Sequence, residues 1–216
     1  MKKIIGIGLI FLLAMFAGTT HTQMQAMTLE ELLQSQLDTE APATPKEAED
    51  QQKEKKGKVY TICLFGKIVA PEQYINILEM LGNVTEKDIV IFKINSPGGR
   101  LDTMVQIINA IKDSKARTIA EVYTAYSAAG FITMACKQIV VKQHATMMIH
   151  SFQTGTSGDI TQMKNEIDFF KKMNDQMLTD TFKGFLTSQE LEMVKNGKEI
   201  WLYEDEIKER LTKIAR

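Results

Sequence analysis

The sequence predicts an α/β domain in which helices cover a mostly parallel sheet. Two features carry this expectation. The apolar, β-branched runs at 59–65 and 89–94 are continuous rather than alternating, as strands buried on both faces require. Between and after them lie stretches with apolar residues at helical spacing. Strand and helix therefore alternate from about residue 58 onward, the mark of repeated β–α units.

The elements follow in order. Residues 59–65 form the first strand, closed by Gly66. A helix over 71–81 places Ile75, Leu78 and Leu81 on one face. Asp88 introduces a strand at 89–94, and the helix 101–112 carries Met104, Ile107, Ile108 and Ile111 at helical spacing. A strand at 118–122 leads into a small-residue helix over 127–136. Short strands follow at 139–141 and 147–149. A long amphipathic helix spans 159–182, and a last helix spans 204–214. No internal repeat is present.

Composition narrows the class. A chain of 216 residues allows one sizeable domain with accessories. A net charge of −1 leaves no electrostatic footprint for nucleic acid. Two cysteines, Cys63 and Cys136, are too few for a disulfide framework. Both sit in apolar stretches and read as buried thiols.

The N-terminus is of another kind. Lys2 and Lys3 precede an apolar run over 4–17, and polar residues follow from Thr19. That pattern is a secretory signal or an N-terminal anchor, and the run is shorter than a spanning helix needs. Cleavage fits after Ala26 or near Ala17, and with no cysteine there lipoprotein processing is excluded. Residues 27–57 begin with a short helix, capped by Thr28 and Glu31, and continue as a charged linker with little to bury. The expected organisation is a signal peptide or anchor at 1–26, helix and linker at 27–57, and the folded domain at 58–216. The domain is then exported, periplasmic or extracellular, or held at a membrane through its N-terminus.

Three segments hold the candidate chemistry. Asn95-Ser96-Pro97-Gly98-Gly99 follows a strand, and its glycines suit a loop whose N–H groups face outward ahead of a helix. Ser127 heads a helix of small residues, which leaves its hydroxyl room. Serine at that place is most often an N-cap. His150 ends the apolar run 147–149, with 23 residues separating it from Ser127. That interval allows helix, turn and strand to bring the chain back beside the serine. Each feature alone has an ordinary structural explanation; a hydroxyl, a base and backbone donors together make a nucleophile site.

The order of these segments resembles the Clp-type endopeptidase family. The similarity rests on Asn95–Gly99, Ser127, Met148-Ile149-His150 and the early strands, and it covers about residues 58–211. It implies a ClpP/crotonase-like spiral of β-β-α units with a protruding strand-helix handle. The handle would be the Gly-rich segment 153–159 and the helix after it, with Phe169, Phe170, Met173 and Met177 in subunit contacts. The resemblance also implies Ser127 as nucleophile, His150 as general base, and an oxyanion hole from the N–H groups of Gly98, Gly99 and Ala128. The substrate would be peptide or unfolded protein, and the assembly a ring-like homo-oligomer; no cofactor or metal is implied.

Two features depart from the family pattern. No Asp falls in the segment 194–202 where the third triad member belongs. Asn196 is the first substitute, through its amide oxygen. Glu199 comes second and an arrangement assisted by Lys195 third. In place of the family's ATPase-contacting axial loop stand the export segment and linker, which makes an ATPase partner doubtful. The alternatives are a catalytically weak or inactive assembly module, a signal-peptide-peptidase-like Ser–Lys enzyme, and a crotonase-type acyl-CoA enzyme.

Overall fold

The computed structural model describes residues 57–214. The expected signal or anchor at 1–26 and nearly all of the segment 27–57 lie outside the described residues. Among the described residues no helix is long and apolar enough to cross a membrane.

Strand β1 is Val59–Phe65, and a 3₁₀ turn, Pro71–Tyr74, runs into helix α1, Ile75–Asn83. Next come β2 (Ile89–Ser96), α2 (Leu101–Asp113), β3 (Arg117–Tyr126), α3 (Ala128–Ala135) and β4 (Gln138–Ile149). The chain ends through α4 (Ile160–Phe182), α5 (Ser188–Lys195), β5 (Ile200–Tyr203) and α6 (Glu204–Leu211). The sheet order is β1-β2-β3-β4-β5; the first four strands are parallel, and β5 is antiparallel to β4.

Strands that follow one another in sheet order, joined by right-handed crossovers, put their helices on one face. The core lies there. Val90, Phe92, Ile94, Ala120 and Val122 of the sheet form one buried cluster with residues of α2 and α3 such as Met104, Ile107 and Phe131. Each such side chain contributes about 1.5–3 kcal/mol by leaving water. The opposite face holds a smaller cluster of Ile89, Ile91 and Ile119 with Val140 against it. Asp88 ties the sheet's entrance together. Its carboxylate accepts from the Lys58 amide at 2.7 Å and from the amide and hydroxyl of Thr85 at 2.7 and 2.8 Å. Those bonds, the Thr85 amide first, hold its pKa below the ordinary carboxylate value.

Several elements differ from the sequence reading. The helix expected over 71–81 opens as a 3₁₀ turn at Pro71. The two strands expected at 139–141 and 147–149 are one strand of 12 residues. His144 takes a left-handed φ of 61° within it, and the β3–β4 register shifts between Val122 and Thr124. A bulge thus carries β4 across its polar stretch. The Gly-rich part of the handle forms no strand: 150–157 lacks regular structure, because glycine-rich chain has low strand propensity and β4 already pairs with β5. The long helix is present, and it buries only Asn174, Leu178 and Phe182 of its own residues. Cys136 is buried as expected, whereas Cys63 is exposed, since alternate residues of β1 face away from the core.

Helices α5 and α6 are joined by an ion pair. Arg210 donates to both Glu190 oxygens, at 2.8 and 2.7 Å, and to the Phe185 carbonyl at 3.1 Å. The guanidinium, with help from the Thr187 amide, holds the Glu190 pKa down at about 2. A carboxylate depressed in the folded state stabilises above its ordinary pKa and loses that contribution as pH falls through the folded value. Arg210→Ala should therefore lower stability at neutral pH by about 1–2 kcal/mol. The difference should vanish as pH falls from the ordinary 4.5 towards 2, when denaturant melts of both proteins are compared.

Candidate active site

Strand β3 ends at Tyr126 and α3 begins at Ala128, so Ser127 alone turns the chain from strand to helix. Its backbone pays the conformational cost, with φ 53° and ψ −124°, a region that residues with a Cβ rarely adopt. Two bonds fix it: the Ser127 amide donates to the Met148 carbonyl at 2.8 Å, and its own carbonyl accepts from Gly130 at 2.9 Å. Its side chain makes no capping bond, although it occupies the N-cap position. The capping explanation for this serine therefore fails. Strain of this kind costs about 1–3 kcal/mol and is retained where function needs it. Ser127→Gly should raise thermal stability by up to about 1 kcal/mol, because glycine relaxes in this region. A thermal melt against wild type checks it.

The hydroxyl points instead at His150, with Nε2 and Oγ 2.7 Å apart. The local cause is the strand register. Tyr126 pairs with Met148, and Ser127 bonds the Met148 carbonyl, so the residue two places on along β4 arrives beside the serine. Both side chains are half-buried.

The glycine turn closes on the same point. The Ile68 amide donates to the Gly98 carbonyl at 2.8 Å, and the Arg100 amide to the Ile68 carbonyl at 3.0 Å. With its neighbours on both sides tied to Ile68, the N–H of Gly99 faces the other way. A Cβ on Gly99 would lie 2.0 Å from the Ile68 carbonyl oxygen. Gly98, at φ +91°, would place a Cβ 2.6 Å from the Tyr126 carbonyl oxygen, 2.7 Å from the Ser127 Cβ and 3.0 Å from the Ala128 nitrogen. Its own amide donates to Ser96 Oγ at 3.1 Å. That bond takes Gly98 out of the expected trio of outward-facing donors. The lack of a side chain, which lets the turn sit against Ser127, is what Gly98 brings. The Ala128 amide heads α3, where amides lack partners in their own helix.

These residues open onto a cleft of about 620 Å³. Gly99, Ser127, Ala128 and His150 line it, with an apolar wall of Leu101, Met104, Met148 and Phe152 and with Lys67 and Arg100. Glu199 lines it too. Asn196, by contrast, is exposed and turned away; its Nδ2 donates to the Glu192 carbonyl at 2.7 Å, capping α5. Lys195 pairs with Glu192 at 2.9 Å. Among the described residues no side chain bonds the second imidazole nitrogen of His150, and the carboxylate sharing its cleft is that of Glu199.

The sheet register explains Glu199. In the antiparallel pair β4–β5, Met148 faces Trp201 and Ile149 faces Ile200. His150 and Glu199 come one residue beyond that last pair, and both line the cleft. From the residues alone Asn196 comes first through its amide oxygen, and the four-residue strand β5, whose pairing brings Glu199 towards the end of β4, has no signature in the sequence. Among the described residues no group of His, Cys, Asp and Glu could hold a metal ion.

A family model described as Clp protease matches residues 55–209 of the chain. No curated protein matches the chain.

Proposed function

The chain belongs to the Clp protease family, whose members are peptidases, and on that premise we propose that it is a serine endopeptidase cutting peptides or unfolded protein outside the cytoplasm. The observation that carries the reading is the 2.7 Å contact between Ser127 Oγ and His150 Nε2, made by a strained serine with no capping role.

On this reading the Ser127 hydroxyl attacks the scissile carbonyl while His150 Nε2 takes its proton. The oxyanion that forms accepts from the N–H groups of Gly99 and Ala128. His150 then protonates the leaving amine, and water, deprotonated by the same imidazole, releases the acyl group from serine. Glu199 serves as the carboxylate that orients the ring and stabilises the imidazolium, in the place first given to Asn196. The apolar wall of Leu101, Met104, Met148 and Phe152 suits an apolar side chain beside the scissile bond.

The long helix α4 fits a homo-oligomer. Phe169 is 63% and Ile160 86% exposed, and Ile167 is also exposed. These side chains suit contact with another copy in a ring-like assembly. Export, or retention at a membrane, is proposed from the basic and apolar start of the sequence. Lys67 lies in the cleft and would serve a Ser–Lys enzyme, yet the bonded partner of the Ser127 hydroxyl is the imidazole. The Ser–His reading is therefore preferred.

Turnover of an unstructured fluorogenic peptide by the purified full chain tests the reading. Ser127→Ala and His150→Ala should each remove activity by a factor of about 10³ or more. Undiminished hydrolysis by either variant would refute it.

A further inference from the structure

We propose that Trp201 is a positioning residue: its indole N–H holds one oxygen of Glu199 so that the other faces His150. This rests on the reading of Glu199 as the orienting carboxylate. The indole Nε1 donates to Glu199 Oε2 at 2.9 Å. Indole donates and cannot accept, so it engages one carboxylate oxygen, leaves the charge in place, and leaves Oε1 for another donor. The role proposed for Oε1 is to accept from His150 Nδ1: His150 and Glu199 line the same cleft, one residue beyond the paired Ile149 and Ile200.

Glu199 needs such a holder for a physical reason. It lies just before β5, exposed, on a side chain with three rotatable bonds. A glutamate so placed samples many rotamers, and an orienting carboxylate that wanders does not fix a tautomer. Trp201 is itself fixed. Its ring meets Tyr126 edge-on, with centroids 5.1 Å apart and planes at 69°. The Tyr126 hydroxyl is hydrogen-bonded to Thr146 Oγ1 at 2.9 Å, and Tyr126 immediately precedes Ser127 in the chain. Residues 199 and 201 lie on the same side of the strand, as do Met148 and His150. The aromatic pair thus ties the carboxylate to the strand end that bears the serine. Packing alone does not account for Trp201, which is 53% exposed on the last strand of the sheet.

Two measurements on the full chain test the proposal. The first uses the fact that Trp201 is the only tryptophan. Glu199→Ala should change indole emission and Asn196→Ala should not; unchanged emission in Glu199→Ala would overturn the contact. The second is a double-mutant cycle on peptide turnover. Trp201→Phe keeps a ring against Tyr126 and removes the donor, so kcat should fall about tenfold with KM unchanged. In a Glu199→Ala background the same change should have no further effect. Equal losses in both backgrounds, or none in the wild-type background, would overturn the positioning role. Full activity of Glu199→Ala itself would instead refute the role of Glu199, and this proposal with it.

Discussion

Replacing Gly98 by alanine is expected to lower turnover by about two orders of magnitude or more. The new methyl would meet the Tyr126 carbonyl at 2.6 Å and the Ser127 Cβ at 2.7 Å, on a backbone whose φ of +91° already disfavours it. Backbone atoms cannot swing aside as a side-chain tip can. The turn must therefore retreat from Ser127, taking with it the Gly99 amide proposed to hold the oxyanion. Displacement of about 1 Å at a reacting centre costs about a hundredfold in rate, and loss of one oxyanion donor about 10²–10³. Gly155→Ala is the matched control, since a Cβ there meets nothing within 4 Å. It should leave both activity and stability unchanged. Peptide turnover, with circular dichroism to establish folding, separates the two variants. Wild-type activity in Gly98→Ala would show that the turn does not serve the site.

The second large effect distinguishes the two candidates for the third member. Glu199→Gln keeps the shape of the side chain and removes its charge. On the proposed mechanism it should reduce kcat by about 10²-fold or more, as the imidazolium loses its counter-charge. Asn196→Ala should leave kcat within about twofold. It should cost only about 0.5–1 kcal/mol of stability, the worth of one side-chain bond to the Glu192 carbonyl. The opposite pattern would restore Asn196 to the site.

Much of the fold is legible in the residues, and the exceptions share a cause. The bounds of β1 follow from one run of apolar and β-branched residues between a charged segment and Gly66. Helix α2 follows equally well, because Met104, Ile107, Ile108 and Ile111 all face the core. What a linear reading misses is decided across strands. Lys142, Gln143 and His144 look like a break between two strands; the bulge absorbs them because β3 continues alongside. Strand β5 has four residues and no pattern of its own, and exists because β4 offers it an edge. The site divides in the same way. Ser127, His150 and the glycine turn stand in legible local contexts, a strand end or a helix start. The choice between Asn196 and Glu199 depends on register, which a three-residue difference in a polar stretch does not disclose. Gly98 is similar: composition marks a turn, and only its approach to Ser127 explains why that turn tolerates no side chain.

The central claim is that Ser127 is a nucleophile activated by His150. Treating the folded full chain with a fluorophosphonate probe and mapping the adduct by peptide mass spectrometry tests it most directly. Modification of Ser127 is expected in the wild type, none in Ser127→Ala, and labelling slowed by about 10³-fold or more in His150→Ala. A folded wild-type protein that resists the probe, or an adduct on any other residue, would contradict it.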